Sequence, residues 1–266
     1  MIDFRRLHGP GQLLVLPNAW DAGSARLIEA CGASAIATTS AGLAWARGYP
    51  DGDTLPPPIL AATVREIVRV LAVPLTVDIE GGYSADPRAV GEVVAAVVAA
   101  GAVGINVEDG SAPPELLCAK IAESKRAAAR AGVDLFVNAR TDVFLKGLVP
   151  PERAVTETIE RACRYRAAGC DGVFVPGLRD AQAIREVAGA IELPLNVMVL
   201  PKLPLVPALR QLGVRRVSAG SAIAQAAYGI VRGAATQLLT EGRYDAMFET
   251  SVGYAELNAL LSPPRR

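Results

Sequence analysis

The sequence predicts an α/β protein, a single (β/α)8 barrel. Three observations carry that reading: strand and helix patterns alternate along the whole chain, glycines close successive helices in the same way, and the composition suits parallel strands. Of the 266 residues, 51% are hydrophobic and only 5% aromatic, so the core is built from Ala, Val, Leu and Ile. Parallel strands buried under helices have that composition. A chain of 266 residues is close to the usual size of one such barrel.

Taken in order, the strand candidates are LLVLPN (13–18), AIATTS (35–40), LTVDIE (75–80), GINVED (104–109), LFVNARTD (135–142), GVFVPG (172–177), LNVMVL (195–200) and RVSAGS (216–221). Between them lie amphipathic, Ala-rich stretches such as DPRAVGEVVAAVVAAGA (86–102) and PERAVTETIERACRYRAAGC (151–170). This alternation is the mark of βαβ units closing a parallel sheet. The endings ACGA, AAGA, AAGC and QLGV each set a glycine at a helix C-terminus, where the left-handed conformation ends the helix. From about residue 221 the chain supplies an eighth barrel helix. Residues 235–266, approximately, then form a C-terminal helical extension of the domain 1–266. A barrel has no use for that extension, so it is expected to make oligomer contacts. The competing doubly wound sheet would carry a GxGxxG turn after its first strand, and PNAWDAGSA has a single glycine there.

Charge and cysteine usage exclude several classes. Lys plus Arg equals Asp plus Glu at 27 each, leaving no positive excess to hold a nucleic-acid backbone. No apolar run approaches the roughly 18 residues of a membrane span, and the N-terminus lacks a signal-peptide core, so the expected location is the cytoplasm. Cys31, Cys118, Cys163 and Cys170 form no CxxC pair, which argues against a disulfide framework or a zinc site and for buried free thiols. The one histidine, His8, lies in a polar N-terminal segment and is expected to be structural or solvated rather than catalytic.

Barrel enzymes carry their chemistry at the C-terminal ends of the strands. There this sequence is rich in polar residues: Thr38, Thr39 and Ser40; Asp78 and Glu80; Asn106, Glu108 and Asp109; Asn138, Arg140 and Asp142; and Asn196. Asp78 and Glu80 are two apart on a strand candidate, so alternation sends both toward one face. With Glu108 from the next strand they offer three hard oxygen ligands for Mg²⁺, or for Mn²⁺. Arg140 can grip a substrate carboxylate through two parallel hydrogen bonds. A structural Asp78/Arg140 ion pair is the plain alternative. Against it, three acids facing one arginine leave negative charge that is costly to bury without a cation. In TTSAGLAWARGYPDGD, the amides of Ser40, Ala41 and Gly42 can face an anionic oxygen. Asp51 either faces substrate or ends a turn, and Trp45 either roofs the pocket or packs on a neighbouring helix.

PNAWDAGSARL, TTSAGLAWARGYPD, VDIEGGY, GINVEDG and NARTD, in this order over about residues 13–230, resemble the isocitrate lyase/phosphoenolpyruvate mutase superfamily. The resemblance implies that Asp78, Glu80 and Glu108 surround Mg²⁺ and that Ser40, Ala41 and Gly42 hold the carboxylate and oxo groups. It further implies that Asp51 stands near the reacting bond, that Arg140 binds the far anionic group, and that Asn196 lines the pocket. It also implies a homotetramer with C-terminal helices exchanged between subunits, and the chain is expected to be a homo-oligomer, dimer or tetramer. Two departures matter. The lyase K-K/R-C-G loop is replaced by EDGSAPPELLCAKIAESK, where Cys118 reads as a core residue. The mutase histidine after the sixth strand has Gly177 in its neighbourhood, and the lyase glutamate of that region is absent.

The expected function is a Mg²⁺-dependent carbon–carbon lyase. It would cleave or decarboxylate a small 2-oxo or 2-hydroxy (di)carboxylate through a metal-stabilised enolate. The alternatives are a phosphonopyruvate-type P–C bond enzyme and a non-catalytic 2-oxo acid binding protein.

Overall fold

The computed structural model describes residues 3–9 and 11–262. Among them, nine short strands run parallel in one sheet, ordered β1-β9-β8-β7-β6-β5-β4-β3-β2. They are β1 Leu14–Leu16, β2 Asn18–Ala19, β3 Ile36–Thr38, β4 Leu75–Asp78, β5 Gly104–Glu108, β6 Phe136–Arg140, β7 Gly172–Phe174, β8 Leu195–Met198 and β9 Arg216–Ser218. β1 and β2 are two halves of the first barrel strand. Pro17 between them has no N–H to give a ladder, and pairing changes sides there. Leu14 lies opposite Arg216 of β9, and Asn18 opposite Ala37 of β3. One segment thus joins both edges, and the expected (β/α)8 barrel results.

The helices are α1 Ala22–Ala30, α2 Ser40–Ala46, α3 Pro57–Val70, α4 Pro87–Ala99, α5 Pro114–Arg130, α6 Val143–Lys146, α7 Ala154–Ala167, α8 Ala181–Ala190, α9 Val206–Gln211, α10 Ala222–Glu241 and α11 Tyr254–Leu261. Local chemistry explains their ends. The carboxylates of Asp21, Asp86 and Asp180 accept from first-turn amides of α1, α4 and α8, which satisfies donors that have no helical partner. Proline occupies the first turn of α3, α4 and α5, where its missing N–H costs nothing. Gly101 and Gly169, at φ 107° and 104°, turn the chain out of α4 and α7.

Strand alternation sorts the side chains between two environments. Val77, Ile79, Ile105, Val107, Val137, Ala139 and Val173 point outward and are buried under the helices. Each large aliphatic buried this way contributes on the order of 1.5–3 kcal/mol. The inward set is different. Phe4, Leu14, Leu16, Ala35, Ala37 and Phe136 close the barrel floor, and His8 stacks on Phe136 with ring centroids 4.3 Å apart. Above the floor the interior is polar, holding Asp78, Asn106, Asn138, Asn196, Arg216 and Ser218, all buried.

α10 runs unbroken across residue 235 and leaves Tyr228, Ile230, Val231, Leu238 and Leu239 exposed. Among the described residues, no helix is long and apolar enough to cross a membrane. Residues 263–266 of the expected extension lie outside the described residues. The thiols are not uniformly buried: Cys170 is buried and Cys118 intermediate, but Cys31 and Cys163 are exposed on helix ends and faces.

Candidate active site

The barrel mouth is built by the ends of β4, β5 and β6 and the turns that follow. Asp78 ends β4 opposite Asn106, while Glu108 ends β5 opposite Arg140. Asp78 therefore sits one step deeper than Glu108, not level with it. Glu80 also departs from the expectation that strand alternation aims it. β4 stops at Asp78, and Glu80 takes φ 53°, a left-handed conformation that L-residues rarely adopt. Asp53 and Tyr83 share that strain at φ 56° and 60°. Three such residues in one turn cluster mark a place where the surroundings dictate the backbone.

Those surroundings are hydrogen bonds onto the Glu80 carboxylate. Gly52 N–H donates to Oε2 at 2.8 Å, Asp53 N–H donates to the same oxygen, and the Tyr83 hydroxyl donates to Oε1 at 3.2 Å. Tyr83 N–H in turn donates to Asp53 Oδ1 at 2.9 Å. The loop that carries Asp51 is thereby tied to the strand end that carries the acids. Asp78 Oδ1 accepts from Glu80 N–H at 3.0 Å, and Oδ2 from Asn106 Nδ2 at 3.3 Å. Glu108 Oε2 lies 2.6 Å from Arg140 Nη1.

The acids do not form a ready-made cage. Among the described residues no three His, Cys, Asp or Glu side chains stand together as a metal-holding group, because Glu80 faces its loop amides and Glu108 faces Arg140. The electrostatics nonetheless favour a cation. Burial holds Asp78 above the usual carboxylate range, against Arg140 and with Asp51 adding to the rise. Burial pushes Glu80 up to about 7, helped by Asp51, Asp78 and Asp53. Burial pushes Glu108 up to about 8, against Arg140, with Asp78 and Asp142 adding to the rise. Burial is the main cause in all three, and neighbouring carboxylates add to it, a situation a bound divalent ion relieves. The donor set, carboxylate oxygens only, fits Mg²⁺.

Arg140 is held from behind. Its Nε and Nη2 meet Asp142 Oδ1 and Oδ2 at 2.7 and 3.2 Å. Asp142 is fixed by its own N–H, which donates to Asp109 Oδ1 at 2.9 Å. Asp109, fully buried, also accepts from Arg161 Nη1 at 2.8 Å and from the Tyr165 hydroxyl at 2.6 Å. Asp109 is therefore a structural acid. Deeper in the barrel, Asn106 Oδ1 accepts from Asn138 Nδ2 at 2.9 Å and from Arg216 Nη2 at 3.1 Å. Arg216 is fully buried, and burial lowers it to about 9 despite the nearby Asp78.

The remaining sequence candidates are placed as follows. Ser40, Ala41 and Gly42 form the first turn of α2, and Thr39 caps it; its Oγ1 accepts from Gly42 N–H at 3.5 Å. The Ser40 and Ala41 amides stand where a helix has no acceptors of its own. Trp45 meets the ring of Tyr228 on α10, with centroids 6.1 Å apart, beside a cavity of about 370 Å³ that also takes in Gln225 and Arg232. Asn196 is fully buried and its amide is spent internally. Nδ2 donates to Val197 O at 2.8 Å and Ser218 Oγ at 3.1 Å, and Oδ1 accepts from Asn138 at 3.0 Å. Cys118 packs against the outer core, and burial raises its thiol; a nucleophile needs the opposite.

Lys120 was not among the sequence candidates. It is buried on α5, its Nζ donates to Gly81 O at 2.6 Å, and burial lowers its pKa against the pull of Asp53 and Glu108. The helical spacing offered a signal, because Lys120 falls on the stripe of Leu117, Ile121, Ser124 and Ala128, where a lysine has no ordinary place.

Residues 4–239 match the family described as Phosphoenolpyruvate phosphomutase. An uncharacterized protein of Mycobacterium tuberculosis is 38% identical over 265 residues, 98% of this chain and 96% of that one. An oxaloacetate decarboxylase of Paraburkholderia xenovorans is 31% identical over 222 residues, 79% of this chain and 71% of that one. A crystal structure from Burkholderia cenocepacia, described provisionally as a phosphonomutase, superposes with TM-score 0.84 at 43% identity, covering 88% of this chain and 98% of that one.

Proposed function

We propose, starting from the fact that the chain belongs to the phosphoenolpyruvate phosphomutase family, that this enzyme is a Mg²⁺-dependent carbon–carbon lyase for a small 2-oxo dicarboxylate, with oxaloacetate decarboxylation the first reaction to test. The observation that carries the reading is the crowd of carboxylates at the barrel mouth, Asp78, Glu80 and Glu108, raised by burial first and by neighbouring acids second, beside an arginine backed by Asp142. Asp78, Glu80 and Glu108 would hold the ion. When bound, it would supply Lewis-acid stabilisation of charge developing on the substrate's oxygens.

The chain's own residues then have distinct tasks in this reading. Arg140, oriented by Asp142, binds the far carboxylate and fixes the substrate's direction. The first-turn amides at Ser40 and Ala41 face the near carboxylate and oxo group, and Gly42, whose N–H Thr39 caps, holds the turn in shape. Asp51 stands close enough to raise both Asp78 and Glu80 and is assigned to the reacting bond. Asn196 acts through Asn138 and Asn106 on Asp78 and does not touch substrate, and Trp45 supports the wall beside α10.

The same reading makes the chain a homo-oligomer. The exposed apolar side chains of α10, and an apolar groove of about 580 Å³ lined by Leu14, Val15, Pro17, Ile28 and Ile223, support it; light scattering reads the state directly.

Oxaloacetate turnover measured with Mg²⁺ and with EDTA tests the chemistry. Mg²⁺-dependent pyruvate release, abolished in Asp78→Asn, is the expected result. Turnover that persists in EDTA would defeat the proposal, and phosphate release from phosphonopyruvate in place of decarboxylation would move the enzyme to P–C bond chemistry.

A further inference from the structure

All three nitrogens of the Arg140 guanidinium are engaged, but the two sides differ in kind. The Nε/Nη2 side lies on Asp142, which is fully buried, is anchored through its own amide to Asp109, and also takes Lys146 Nζ at 3.2 Å. That side cannot exchange partners without breaking a buried network. The Nη1 side lies on Glu108, whose side chain keeps 17% exposure at the end of β5. Among the described residues, Arg140 is the only ion-pair partner of Glu108.

The three acids at the mouth also differ in freedom. Asp78 sits deep, with both oxygens hydrogen-bonded. Glu80 is clamped by two loop amides and a tyrosine hydroxyl. Glu108 is the acid able to swing, and one guanidinium edge holds it. That edge is the one Arg140 must present to a substrate carboxylate, because the other is permanently covered.

We infer that Glu108 is the resident occupant of the carboxylate-binding edge of Arg140, and that a divalent cation at the mouth draws it off, so that cation and substrate carboxylate bind cooperatively through this single side chain. The inference rests on the function proposed above. Its physical basis is competition. One Nη1 edge cannot bind Glu108 and a ligand carboxylate together, and whatever recruits Glu108 elsewhere vacates it. The coupling is reciprocal, so an anion seated on Arg140 also frees Glu108 for the cation. Specificity follows as well: without the cation, the arginine is closed to carboxylates in general.

Direct chelation of a 2-oxo acid would also couple metal and anion, so the test removes the metal. Malonate, a dicarboxylate without a 2-oxo group, is titrated calorimetrically into the full-length protein in EDTA and in Mg²⁺. Wild type is expected to bind at least about tenfold more tightly with Mg²⁺. In EDTA, Glu108→Ala is expected to bind malonate at least about tenfold more tightly than wild type, although it has lost a metal ligand. Glu108→Gln, which keeps the side chain's size, is expected to shift the same way to a lesser degree, and it carries the test should the alanine variant not fold. Asp53→Asn removes a negative charge from the mouth, keeps the oxygen that accepts from Tyr83 N–H and does not touch Arg140; it is expected to change the metal-free affinity less than about threefold.

If Glu108→Ala and Glu108→Gln bind no better than wild type in EDTA, the inference is wrong. An equal gain in Asp53→Asn would also overturn it, because the effect would then be the general field of the acids. Should wild type bind malonate in neither condition, the proposed function fails with it, an outcome distinct from the other two.

Discussion

Gly177→Ala probes the site from behind without touching any group assigned to chemistry. Gly177 follows β7 with φ 87°, and a Cβ placed there would stand 2.9 Å from Leu145 N, 2.9 Å from Phe144 C and 3.0 Å from Leu145 Cα. All three are backbone atoms of α6, so no rotamer change can make room. The positive φ alone costs an L-residue roughly 1–2 kcal/mol, and forcing a methyl into packed backbone adds roughly 1–3 kcal/mol. A loss of about 2–5 kcal/mol is therefore expected, read as a lowered midpoint in urea with an unchanged slope. α6 also carries Lys146, which pairs with Asp142 behind Arg140. Displacement of α6 should accordingly raise KM for the dicarboxylate more than it lowers kcat. A variant less than about 1 kcal/mol destabilised, with unaltered KM, would refute the claim that this glycine fixes α6 and through it the arginine.

Two further outcomes are expected. Arg161→Met leaves the fully buried Asp109 with only Tyr165 and an amide, so stability should fall by about 3 kcal/mol, and Asp109→Asn in the same chain should restore part of it; full stability in the single variant would sink the assignment. His8 is buried as a neutral ring, its pKa lowered to about 3 by burial and the charge of Arg216. Its folded pKa is below the unfolded value, so its contribution is complete above about pH 6.5 and is lost as pH falls toward 3. Between pH 7.5 and 5.0 wild type should lose roughly 2 kcal/mol more than His8→Asn, whose other acids titrate alike; equal losses would place the ring in contact with water.

The barrel was legible because each of its eight strand segments is a compact run between turn residues, and all eight fall on observed strands. What the sequence could not reveal came from partners distant along the chain. The change of ladder at Pro17 depends on β3 and β9 arriving on opposite sides. Strand parity aimed Glu80 wrongly because two amides of the distant 52–53 loop, together with the nearby Tyr83 hydroxyl, hold its carboxylate where the backbone turns left-handed. The amides of Ser40, Ala41 and Gly42 were legible as a group, but not as the first turn of a helix that Thr39 caps. Asp78, Glu108 and Arg140 were visible as a chemical set. That Glu108 and Arg140 face each other is a matter of β5/β6 register, and register is fixed only once the ring has closed.

The interior amides have one more implication. Asn138 gives both ends of its NH2 group away, to Asn106 on one side and Asn196 on the other, and Asn196 continues to Ser218. Each carboxamide is thus oriented by the next, like cogs that turn only together. Asp78 takes its bearing from the last of them. A change on the far wall of the barrel, at Ser218 of β9, is therefore mechanically connected to the acid on β4, which makes the whole cross-section a single component and confines innovation in this scaffold to its rim.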